Sequence, residues 1–179
     1  MERSTDAPEG FGYSAKMVVT TADTSIGSTE YAEIGTRFEG QDVQSFAYGT
    51  NNAKDITFSF WAKSSKTGTY TVTFLKRSAT RYHYVKEFTI DSADTWEKKV
   101  ITVSPDSNIK SSAGVVDNNV DLEFEVVINL MLGSTYSGAT DGSWSSDTNH
   151  YATSNQVNWM DSTSNNFYLT GVQLEVGDT

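Results

Sequence analysis

Three carboxylates stand at alternate positions in one stretch of this 179-residue chain: Asp121, Glu123 and Glu125. In an extended strand they share a face, and same-face neighbours lie about 6.6–7 Å apart. That falls near the ~6.5–9.5 Å between the two acids of an inverting glycoside hydrolase. Two acids on a sheet face also need a cleft and rings around them before they can act. The reading adopted is a solvated face without catalysis. His83 lies between Tyr82 and Tyr84, with no G-x-S-x-G elbow to make a nucleophilic triad, and reads as a sheet-surface histidine. The acidic loop Asp141-Gly142-Ser143-Trp144-Ser145-Ser146-Asp147 lacks the spacing of an EF-hand, so calcium is only weakly supported and no other cofactor is expected.

Aromatic residues offer a different chemistry. Trp144, Tyr151 and Trp159 fall in or beside the longest polar loop, with Asn149, Asn155 and Gln156 close by. A sugar ring stacks its C–H face on an indole or phenol ring, while amides take its hydroxyls. Either these rings fold back to plug the end of the fold, or at least one meets a ligand. Trp144 and Trp159 are the first candidates for stacking platforms and Trp61 the third, with Tyr151, Asn155 and Gln156 completing the set. The ligand expected from them is a neutral or weakly cationic glycan.

Composition narrows the partners. A formal charge of −10 and a sequence pI near 4.5 exclude a nucleic-acid partner, since phosphate needs clustered Lys and Arg, and disfavour an anionic membrane surface. The absence of cysteine removes disulfides, thiol nucleophiles and Cys/His zinc spacing, and leaves the redox compartment open. No apolar run approaches the roughly 18 residues that span a membrane. The N-terminal MERSTDAPEGFGYS has neither the basic start nor the apolar centre of a secretion signal.

The elements that must position these residues read as strands. Ile56, Phe58, Phe60 and Ala62 alternate with Thr57, Ser59, Trp61 and Lys63, which places Trp61 on the polar face, either covered or exposed for a purpose. Leu122, Phe124, Val126, Ile128, Leu130 and Leu132 occupy every second position. Further strands are expected over 13–21, 31–39, 43–48, 69–75, 82–90, 96–103 and 167–176, the last with a bulge near Gly171. No stretch carries a helical stripe. Eight to ten short strands between turn signals imply an all-β, antiparallel two-sheet sandwich, with a jelly roll the best match to its size. Residues 1–12 read as an N-terminal arm or linker and 13–179 as the one domain.

With the strands placed, FSFWAKSSKTGTYTV, DTWEKKVITV and NNFYLTGVQLEVG together resemble the jelly-roll domain of bacteriophage tail-fibre and other virion proteins, marine phages among them. Their order is also similar to that of β-sandwich carbohydrate-binding modules. The resemblance implies a non-catalytic domain on a virion, in a tail fibre or on the capsid surface, that binds host surface glycans. Weak single sites would be multiplied in a homotrimer or a larger assembly of virion subunits. A capsid-decoration or head-fibre protein meeting other subunits is the second expectation, and a glycan-cleaving enzyme the third. Such sandwiches often hold calcium near their last strand, but the matching Leu169-Thr170-Gly171-Val172 offers no carboxylate.

Overall fold

The computed structural model describes residues 1–147 and 149–177. Among the described residues ten strands run in chain order: β1 Glu2–Ser4, β2 Ser14–Val18, β3 Tyr31–Glu39, β4 Ile56–Ser64, β5 Gly68–Lys76, β6 Tyr82–Ile90, β7 Glu97–Val103, β8 Leu122–Leu132, β9 Ser143–Ser145 and β10 Asn166–Val176. They form two five-stranded sheets, ordered β1-β2-β10-β4-β7 and β3-β8-β5-β6-β9, with every pair of strands antiparallel. β5 pairs with β6, β4 with β7, β3 with β8 and β2 with β10. The chain is therefore one long antiparallel ribbon with its tip at β5–β6, rolled so that successive pairs fall in alternate sheets. That is a jelly roll.

The core lies between the sheets and is strongly aromatic. Phe58 of β4 meets Phe74 of β5 edge to face at 5.8 Å, and Phe60 meets Phe88 of β6 at 5.2 Å. Phe167 of β10 packs on Tyr70 at 5.5 Å, and Phe124 of β8 on Phe46 at 5.2 Å. The alternation read in β4 and β8 thus delivers rings from both sheets into one interior, as geometry of period two requires. The register of β10 on β4 slips between Thr170 and Gln173, where the bulge was expected.

Residues 43–48 depart from the strand expected there. Gly40–Phe46 is a 3₁₀ helix, and Ala47 ends it in the left-handed region at φ 53°. Val43 and Phe46 are both buried. Three residues apart, they would point to opposite faces of a strand but share a face in a helix of three residues per turn. Residues 1–12 lie along the sandwich: β1 folds back on β2, and the Asp6 carboxylate receives bonds from Lys63 Nζ and Trp96 Nε1.

Candidate functional site

The outward residues of β8 are not solvated. Glu123 and Glu125 are 6% and 5% exposed. Glu125 takes hydrogen bonds from Arg77 Nε and an ion pair with its Nη2, and its other oxygen lies 3.6 Å from Arg37 Nε. Glu123 accepts from the Ser78 hydroxyl and from Asn119 Nδ2. Only Asp121, ahead of the strand, is exposed. The solvated acidic face expected here is in fact a pair of committed carboxylates.

Further along the same face, around Thr71, Thr73 and Asn129, the cover is residues 133–147 and 149–158. It is stapled to the sheet by its own polar groups. The Tyr151 carbonyl accepts from Thr73 Oγ1 at 2.5 Å and Asn129 Nδ2 at 3.0 Å. Gln156 accepts from Thr71 Oγ1 at 2.7 Å and donates to the Asn129 carbonyl at 3.1 Å. Asn155 Nδ2 and Thr153 Oγ1 both bond to Glu87. His83, on the same outer face, is buried under this segment against Tyr151, and burial holds its pKa down. It is therefore not the sheet-surface histidine expected.

The candidate binding residues separate accordingly. Trp144 sits in β9, is 8% exposed, packs on Tyr48 and Tyr84, and donates Nε1–H to the Ser104 carbonyl at 3.0 Å. Trp159 is 3% exposed and donates to the Asn166 carbonyl at 3.1 Å. Both indoles are core plugs whose N–H groups found acceptors, and neither presents a face to a ligand. This corrects their expected placement at the surface. Asn155 and Gln156 hold the covering segment down through the bonds above. Trp61 is half-buried on the outer face of the first sheet, where a Cβ on Gly171 would lie 3.2 Å from it and 2.7 Å from Phe11 Cζ. It stands across the sandwich from the others. In the acidic loop, Asp141 is taken by Lys86 Nζ at 2.6 Å and by the Glu87 amide, and Asp147 by His150 Nδ1 at 2.7 Å. No group of three or more His, Cys, Asp or Glu among the described residues could hold a metal ion.

Tyr151 alone of the expected set faces an open site. A pocket of about 270 Å³ opens between the covering segment and strands β3, β8 and β5. Its aromatic lining is a row of three phenols. Tyr151 and Tyr136 lie 5.9 Å apart at 34°, and Tyr31 meets Tyr136 edge-on at 6.0 Å. Its polar lining comprises Thr73, Asn129, Glu33, Glu125 and the guanidiniums of Arg37, Arg77 and Arg81. Arg81 lies over the Tyr151 ring at 5.4 Å. Burial raises the pKa of Glu33, and the Glu125 charge adds to it. Burial likewise raises that of Tyr151, against the pull of Arg81 and Arg77. Tyr31 and Tyr136 escaped the sequence reading because they are 105 residues apart; only the β3–β8 pairing brings Tyr31 beside Leu132, at the start of the covering segment.

No family model matches this chain, and no curated protein matches it. Among solved structures, a Family 16 carbohydrate-binding module aligns at 12% identity over 96% of this chain and 82% of that one, with a TM-score of 0.40. A candidate sugar-binding protein from Bacteroides thetaiotaomicron aligns at 13% identity over 97% and 80%, TM-score 0.46. A structure described as CBM4 structure and function aligns at 14% identity over 96% and 98%, TM-score 0.38. Likenesses at these scores carry no functional argument.

Proposed function

We propose that this chain is a non-catalytic, glycan-binding jelly roll, and that its ligand lies in the pocket of Tyr31, Tyr136 and Tyr151. The observation that carries this reading is the row of three phenols beside a polar floor in one depression. Rings of that kind offer a face to the C–H side of a sugar, and Asn, Thr and Arg beside them offer bonds to its hydroxyls. The volume stands just below the ~300–1,000 Å³ of most small-molecule sites, which suits one or two sugar units of a chain. The two glutamates nearest a catalytic spacing support binding over hydrolysis, because each is already occupied by its own partners.

The resemblance of the strand and turn motifs extends the proposal: the domain serves a virion, in a tail fibre or on the capsid surface, as one of several copies. Antibody raised against the chain is expected to label intact virions, and unlabelled virions would remove that part alone. A glycan array tests the binding itself. The double variant Tyr31→Ala/Tyr136→Ala should keep the wild-type melting temperature and lose about 1–3 kcal/mol of binding. An array on which the wild-type protein binds no glycan would overturn the reading.

A further inference from the structure

We infer that the pocket is built for a carboxylated sugar, with Arg81 receiving the carboxylate; this rests on the glycan reading above and specifies its chemistry. Of the three guanidiniums in the pocket, two are spoken for. Arg77 and Arg37 share Glu125. Arg81 differs: among the described residues it makes no ion pair, and its Nε is sealed from solvent without any hydrogen-bond partner. Its guanidinium lies over the Tyr151 ring. Arg81 as a whole is only half-buried and lines the pocket, and a bidentate carboxylate is the ligand whose geometry fits the fork of its terminal nitrogens.

The floor beneath is polar as well. Asn129 is fully buried in its floor, and while its Nδ2 bonds to Thr71, Thr73 and the Tyr151 carbonyl, its Oδ1 has no donor. A guanidinium without an ion pair, beside a row of phenols and a polar floor, matches a sugar that carries a carboxylate and hydroxyls on the same ring. A neutral sugar would leave Arg81 unneutralised. Overall charge sets the other limit. On a chain of −10, three arginines against two glutamates make a small positive locus, suited to one carboxylate at a time and not to a densely charged polyanion.

The test is isothermal titration calorimetry with oligosaccharides of polyglucuronate, homogalacturonan and polymannuronate. Each is run beside its carboxyl-reduced product, which keeps linkage and ring but replaces the carboxylate with a hydroxymethyl group. At least one uronate should bind about 10- to 100-fold tighter than its reduced partner, the worth of a charge-assisted hydrogen bond. Arg81→Met should erase that difference by weakening the uronate far more than the reduced sugar, and Arg81→Lys should restore only part of it. Dextran sulfate should bind no better than dextran. Equal affinity for uronate and reduced product, or equal binding of dextran sulfate and the uronate, overturns the carboxylate inference while the glycan reading stands. If none of the sugars binds, charged or reduced, the carboxylate inference falls and the glycan array decides the glycan reading.

Discussion

Glu125 shows how much the neighbours of a residue decide. Its parity on β8 was legible, since six apolar residues at alternate positions force Glu123 and Glu125 to the opposite face. Its burial was not, because the groups that close on it, Arg77 after β5 and Arg37 of β3, are about 50 and 90 residues away in sequence. With Arg77 and Arg37 gathered on one carboxylate, Glu125→Gln is expected to lower stability by about 1.5–3 kcal/mol, read from urea unfolding. Loss of less than about 0.5 kcal/mol would mean the pair is solvated after all. Lys76 is another buried ion. It is fully enclosed, donates to the carbonyls of Ser78, Thr80 and Ala113, and lies 5.5 Å from the Tyr82 ring. Burial lowers its pKa to about 8, opposed by the charges of Glu123 and Asp117. The unfolded chain, with a lysine near ~10.4, binds more protons between those values, so stability from this group rises with pH across about 8 to 10.4. Urea midpoints of the wild type relative to Lys76→Met should climb through that window by the equivalent of about 1–2 kcal/mol. A flat difference would show that the three carbonyls hold the charge as well as water does.

Elements explain why the tryptophans misled. A large ring in a polar loop looks surplus to a core, yet β9 is three residues long and its one inward side chain, Trp144, is what fixes it to Tyr48 and Tyr84. Trp159 does the same for the short 3₁₀ helix Trp159–Asp161. Short elements have few contacts, so their anchors are large. Trp144→Ala and Trp159→Ala should each cost about 3–5 kcal/mol of stability, measured by thermal or urea unfolding, as for other large-to-small core changes. Near-wild-type melting would return these rings to the surface. The strands themselves were largely legible, because Thr, Val, Phe and Tyr alternate cleanly in β4, β5, β6 and β8. Where alternation failed, at residues 43–48, the period was three, and six residues are too few to separate three from two. The bulge in β10 was signalled by one glycine. Gly171 sits at φ +60°, with Phe11 over it, so Gly171→Ala adds left-handed strain and a clash with that ring. A loss of about 1–2 kcal/mol is expected, with Phe11→Ala recovering the part due to the clash.

At the scale of the whole molecule, sheet order governs how the fold is reached. β5 and β6 are joined by a short connection, but each further pair in the rolled ribbon closes a longer loop, and the last sets Met17 of β2 against Phe167 of β10. Loop-closure entropy has to be overcome before those distant pairs return any burial, so a chain of this topology folds slowly. Both sheets also give side chains to one interior: Phe58, Phe60 and Phe167 from one, Phe74, Phe88 and Phe124 from the other. Neither sheet buries its inner face without its partner. Equilibrium unfolding should therefore be a single transition, the same by far-ultraviolet circular dichroism and by tryptophan fluorescence, with Trp144 and Trp159 reporting on two separate regions. Stopped-flow refolding should give a main phase in the range of roughly milliseconds to seconds, as for other sandwiches dominated by non-local pairing. Refolding in microseconds, or fluorescence changing at a lower urea concentration than the sheet signal, would show that one sheet stands alone and that the shared core is weaker than its ring contacts imply.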